Sequence, residues 1–177
     1  YLYSCGQYDF AESYVQEAVK KIDVLKHLPI CWHFIGRIQS NKINMIARYF
    51  SWIESLSSLE HAKQLNAARQ DSKEPINVCI QVNISLEDQK AGVTIDQLDN
   101  FIHKVRQYPH LKLRGIMAIG SCAVSDQVRM KEFRLLQEVF QQYKSLDSWD
   151  TLSMGMSDDF AMAIECGSTQ IRVGQLI

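Results

Sequence analysis

An α/β fold, built as a (β/α)8 barrel that lacks one strand, is what this sequence predicts, and three observations carry the expectation. Seven short apolar or aromatic runs recur along the 177 residues, with amphipathic helical patterns between them. Repeated β-α units of this kind build a parallel sheet. Seven strands fall one short of a closed barrel, and the length falls short of the about 250 residues typical of one. An open doubly wound sheet is the alternative, but it usually carries a glycine-rich turn after its first strand. No GxGxxG is present, so a barrel without its first strand fits better.

The strand candidates, in order, are 8–13, 32–38, 52–56, 76–84, 113–119, 151–154 and 170–173. Each is short, rich in aliphatic or aromatic residues, and followed by a helical pattern or a turn. The fourth is the most informative. Val78, Ile80, Val82 and Ile84 share one face, and Cys79, Gln81 and Asn83 share the other. In a barrel the aliphatic face meets the helices, which leaves Gln81 and Asn83 pointing inward near the C-terminal mouth. Buried amides need partners, and a ligand or a network between neighbouring strands would serve equally well. Among the helices, Ile95, Leu98, Ile102 and Val105 form one stripe, opened by a capping-box pair at Thr94 and Gln97. Phe133, Leu136, Phe140 and Tyr143 repeat the pattern. Such stripes bury against a sheet and belong to the core.

Composition narrows the function classes. With 46% hydrophobic residues the chain is long enough for one well-buried domain. A net charge of -1 gives no basic field, which disfavours a nucleic-acid partner. No apolar run approaches the roughly 20 residues that span a bilayer, and the N-terminus does not read as a signal peptide. Cys5, Cys31, Cys79, Cys122 and Cys166 are odd in number, scattered, and free of any CxxC pair. Reduced thiols in a cytoplasmic protein are the expectation, with neither a disulfide framework nor a zinc site. Asn83-Ile-Ser85 matches a glycosylation sequon by chance.

The segment Thr151-Leu-Ser-Met-Gly-Met-Ser-Asp-Asp-Phe160, with Ile171-Arg-Val-Gly174 after it, points to a ligand. A short apolar run ends in Gly and Ser, a helix starts at once, and Gly167 closes that helix. Strand ends that lead into helix starts offer free backbone N–H groups and a positive dipole end, which suit a phosphate. Two ordinary strand-to-helix turns would give the same pattern.

Taken in order, the motifs resemble one known family. They are Phe10-Ala-Glu-Ser-Tyr-Val-Gln-Glu17, Trp32-His-Phe-Ile-Gly36, Gln39-Ser-Asn-Lys42, Gln81-Val-Asn83 and Lys90-Ala-Gly92. Arg114-Gly-Ile-Met-Ala118, Leu152-Ser-Met-Gly-Met-Ser-Asp-Asp159, Gly167-Ser-Thr169 and Arg172-Val-Gly174 complete the series. Across essentially the whole chain the sequence resembles the pyridoxal 5'-phosphate homeostasis proteins, relatives of the N-terminal TIM barrel of alanine racemase. The resemblance implies one barrel domain over residues 1–177 that holds pyridoxal phosphate at its mouth, binding and buffering or delivering it without catalysis. Apo pyridoxal phosphate enzymes are the partners it suggests.

By the same resemblance, Ser157, the backbone around Met156, and Gly174 hold the phosphate, and Arg172 faces the pyridine nitrogen. An arginine does not readily release its proton, so that nitrogen stays unprotonated and the ring is a weaker electron sink. Met117 would pack on the ring or fill the barrel. His33 is a pocket candidate, although a lone His on a strand is more often a satisfied core residue. Asp158 and Asp159 read as first-turn acids whose side chains turn outward. Lys42 reads as a solvated surface residue.

Two departures from the family stand out. Its usual Gly-Glu-Asn is here Ala11-Glu12-Ser13, a hydroxyl in place of an amide. Its Schiff-base lysine belongs to a first strand that would precede Tyr1, so the missing strand and the missing lysine are one absence. The eleven lysines of this chain read as helical or as segment-edge and loop residues, Lys112 among the latter. An amino-acid racemase is the alternative function. An alanine racemase adds a β-rich C-terminal domain with a catalytic Tyr, and no residues follow Ile177 to form one. A cofactor-free barrel remnant is the third reading.

Overall fold

The computed structural model describes residues 1–85, 91–121 and 124–175. Lys90 of the Lys90-Ala-Gly92 motif, Cys122 and Ile177 lie outside the described residues. Seven strands alternate with helices: β1 (Asp9–Glu12), β2 (Cys31–Phe34), β3 (Trp52–Leu56), β4 (Ile76–Val82), β5 (Leu111–Ala118), β6 (Thr151–Met156) and β7 (Gln170–Arg172). The helices are α1 (Val15–Leu25), α2 (Ile43–Tyr49), α3 (Leu59–Ala68), α4 (Ile95–Val105), α5 (Asp126–Gln142) and α6 (Phe160–Glu165).

Every strand pairs in parallel with the next, in the order β1-β2-β3-β4-β5-β6-β7. The order never reverses, which excludes a doubly wound sheet with its switch point. The sheet also curls. Gln170 on β7 donates through Nε2 to Glu54 Oε1 on β3 at 2.5 Å and lies 3.5 Å from His33 Nδ1 on β2. Strands at opposite ends of a flat seven-strand sheet would lie far beyond hydrogen-bond reach, because each strand adds nearly 5 Å. The architecture is a nearly closed barrel with its seam between β7 and β1.

Strand residues sort by face as the alternation predicts. Val78, Ile80 and Val82 are buried with the helix-facing core, together with Leu98, Ile102 and Val105 of α4. Phe133, Leu136 and Phe140 of α5 join them, and Tyr143 packs at the edge. Burying each large side chain of this kind contributes roughly 1.5–3 kcal/mol. Trp149 seals the bottom of β6 by stacking on Phe140 at 5.7 Å and donating Nε1–H to its carbonyl at 2.9 Å.

Three local expectations change. The second strand ends at Phe34, not at 38, because the chain leaves the sheet where Gly36 meets the backbone after β1. A Cβ on Gly36 would lie 1.9 Å from the Ser13 carbonyl oxygen. Thr94 does precede α4, but its side chain makes no capping bond. Its hydroxyl is buried and has no partner among the described residues, so the capping box does not form. Lys112, expected in a loop or at a segment edge, is the second residue of β5; its side chain is exposed at the end away from the mouth.

Candidate functional site

The inner wall of the barrel carries a chain of polar side chains supplied by alternate positions of β2, β3, β6 and β7. Arg172 donates through Nη1 to Ser153 Oγ at 2.7 Å and through Nη2 to the Ala118 carbonyl at 2.9 Å. Ser153 donates to Glu54 Oε2 at 2.6 Å, and Glu54 Oε1 lies 2.8 Å from His33 Nδ1. Glu54 and Ser153 are wholly buried, and His33 nearly so.

Burial opposes ionisation of Glu54, but the hydrogen bond and charge of His33, with Ser153 and Arg172, outweigh it and hold the carboxyl below its usual range. Burial likewise opposes a proton on His33. Hydrogen bonds and charges from Cys31 and Glu54 outweigh it and push the imidazole up to about 10. Burial lowers the Arg172 pKa from its usual value, and the charges of Glu54 and Asp159 work against that shift.

At the C-terminal strand ends, the two segments singled out in the sequence meet. Ser157 Oγ accepts from the Gly174 N–H at 3.4 Å and from the Gln175 N–H at 3.2 Å. No described residue accepts from the Ser157 or Asp158 N–H. Gly155 makes this turn feasible. Its φ is +95°, and a Cβ there would sit 2.6 Å from the Ala163 Cβ of α6, so only glycine lets the helix pack against the strand end.

Asp159 departs from expectation. Asp158 is exposed, as an outward-turned acid should be, but Asp159 is 8% exposed. Its Oδ1 accepts the Met156 N–H at 2.7 Å, and its Oδ2 accepts from Arg129 Nη1 at 2.9 Å. Both residues precede α6, which carries no acid in its first turn. The inward turn has a clear cause: a buried carboxylate needs a cation and N–H donors, and Arg129 reaches it from α5.

The remaining candidates sort by height in the barrel. Met117 is 1% exposed and in register with Gln81 on β4 and Ser153 on β6, so it lies on the inner wall beside Arg172's partners. Gln81 is satisfied within the protein, donating to the Ala91 carbonyl at 2.9 Å. His33 lies deeper and is linked to Arg172 through Glu54 and Ser153. Sequence reasoning passed over Glu54, Ser153, Gln170 and Arg129. Glu54 had a readable signal, a carboxylate in the middle of the run Trp52-Ile-Glu-Ser-Leu56.

Comparisons with known proteins agree with the barrel fold. The sequence profile of the alanine racemase N-terminal domain matches residues 1–177. The chain therefore belongs to the alanine racemase N-terminal domain family, in the branch of the pyridoxal phosphate homeostasis proteins. The protein of that name from Pasteurella multocida is 42% identical over 180 residues, 99% of this chain and 77% of that protein. The one from Escherichia coli K12 is 41% identical over 179 residues, 97% of this chain and 75% of that protein. PipY of Synechococcus elongatus PCC7942, solved without PLP, matches with a TM-score of 0.89 at 33% identity, covering 97% of this chain and 82% of that one. PipY with PLP bound matches at 0.85 and 31% identity, with the same coverage. An alanine racemase from Clostridium difficile 630 matches at 0.73 and 12% identity over 95% of this chain and 44% of that one. At that identity it attests the fold alone.

Proposed function

We propose that this protein binds pyridoxal 5'-phosphate at the C-terminal mouth of its barrel and serves vitamin B6 homeostasis by buffering or delivering it, without catalysis. The observation that carries the reading is the convergence of Ser157 Oγ with the Gly174 and Gln175 N–H groups, beside the unaccepted N–H groups of Ser157 and Asp158. A cluster of N–H and O–H donors at adjacent strand ends is the usual phosphate cradle of such barrels. The names of the relatives and the PLP held by PipY support the choice of ligand.

In this reading Ser157 and Gly174 take the phosphate. Met156 shapes the turn, its own N–H being engaged by Asp159. Arg172 faces the pyridine nitrogen, Met117 lies beneath the ring, and His33 supports the floor through Glu54. When bound, the cofactor supplies an electron-withdrawing ring; Arg172, paired with Ser153 and the Ala118 carbonyl, keeps a fixed positive charge there. That arrangement leaves the pyridine nitrogen unprotonated and suits a carrier better than a transaminase.

We read residues 1–177 as one binding unit and the cytoplasm as its compartment. The cysteines at 5, 31, 79 and 166 are free, and no described helix is long and apolar enough to cross a membrane. Apo pyridoxal phosphate enzymes are the recipients this reading names. Incubating the protein with pyridoxal phosphate and L-alanine or other amino acids, followed by chiral chromatography, tests the non-catalytic part. Bound cofactor with no racemisation is expected, and turnover above a protein-free control overturns it.

A further inference from the structure

At the other end of the strands lies a second cluster, of which the proposed function uses His33 alone. Asp9 opens β1, Cys31 opens β2, and His33 follows two residues later on the same face. Asp9 Oδ1 is 3.2 Å from His33 Nε2, and Cys31 Sγ is 3.6 Å from the same nitrogen. All three donor atoms lie within 4.8 Å of one another. We propose that Asp9, Cys31 and His33 form a binding site for a divalent transition-metal ion of the zinc class.

The spacing fits. Zinc bonds of about 2.0–2.1 Å to N and O and about 2.3 Å to S, at tetrahedral angles, place N and O about 3.3 Å apart and N and S about 3.6 Å apart. A protonated His33 that donates Nε2–H toward Asp9 and Cys31 also gives these contacts, and a metal ion would take the place of that proton. The Nε2 position carries at most one proton, yet a carboxylate and a thiol both aim at it. A single cation satisfies both, and binding releases the Cys31 thiol proton and any Nε2 proton to solvent.

The surroundings are those of a metal ligand. Glu54 Oε1 holds His33 Nδ1 at 2.8 Å, the carboxylate–histidine pairing that orients a ligating imidazole and raises its basicity. Trp52 stacks on the ring at 5.0 Å with planes 11° apart, fixing its orientation. The Asp9 side chain is 63% exposed, which gives an ion a path from solvent. Thiolate plus imidazole favours zinc or cobalt over magnesium or calcium. Three protein donors leave a fourth position for water or an outside ligand. Cysteine spacing led to the expectation of no zinc site, and the ligands proposed here come from two strands with a single Cys, a pattern that spacing does not register.

Cobalt(II) reports on the site directly. Chelator-treated, cofactor-free protein titrated with Co2+ should bind one equivalent, with a thiolate-to-cobalt absorption band in the near ultraviolet that Zn2+ abolishes. Cys31→Ser should lose the band while keeping the circular dichroism of the wild type. Asp9→Asn removes the carboxylate charge from a side chain that is 63% exposed, and should weaken Co2+ binding by about tenfold or more. A wild-type protein that gives no such band overturns the proposal. So does a band that survives in Cys31→Ser, which would place the cobalt on another thiol, or an Asp9→Asn affinity equal to the wild type.

Discussion

Arg172 is the residue on which the chemical character of the site turns. Its guanidinium is locked by Ser153 and the Ala118 carbonyl and faces Glu54 through Ser153. Arg172→Glu would place a carboxylate where the pyridine nitrogen is proposed to sit, favouring a protonated ring and a stronger electron sink. The absorbance of bound pyridoxal phosphate should shift in that variant. A spectrum identical to the wild type would mean that Arg172 does not face the ring. Arg172 was legible in the sequence because the Arg172-Val-Gly174 motif carries it. Its partners were not, since Ser153 and the Ala118 carbonyl lie 19 and 54 residues away in the chain and meet it only when the strands assemble. Asp159 was misread for a related reason: nothing local announces that Arg129, 30 residues earlier, reaches it.

At the scale of elements, the strands were readable because strands of a parallel sheet are buried on both faces and run nearly continuously apolar. Residues 52–56 were expected and found as β3. Ends were less legible, because tertiary contacts set them. β2 stops where Gly36 crosses Ser13, and β6 runs on to Met156 because Gly155 admits α6. The capping box at Thr94 failed because that hydroxyl is buried, a fact no local pattern contains. The β6–α6 junction yields a prediction. Gly155→Ala adds a Cβ at φ +95° against Ala163 and should destabilise the fold by about 1–3 kcal/mol. Urea denaturation measures it, and an unchanged midpoint would show that α6 moves aside without cost.

For the whole molecule, the sequential strand order and the contacts from β7 to β2 and β3 make a barrel of a chain that shows seven strands. That much followed from counting strands and noting the missing GxGxxG. The position of the lysines also bears on function. Among the described residues, lysines fall on helices, in loops or, for Lys112, at the exposed end of a strand. None stands on the inner wall at the mouth. Borohydride reduction of residues 1–177 with pyridoxal phosphate, followed by peptide mapping, should therefore yield no stoichiometric pyridoxyl-lysine. One such modified lysine would contradict the assignment.

The central claim is that a phosphate sits where Ser157 meets Gly174 and Gln175. Equilibrium dialysis of pyridoxal phosphate against the wild type and Ser157→Asp tests it most directly. The variant removes the hydroxyl and sets a like charge beside the phosphate. One such pair at about 4 Å costs up to about 4 kcal/mol near a protein surface, so affinity should fall at least tenfold. Equal affinity in the two proteins would contradict the account.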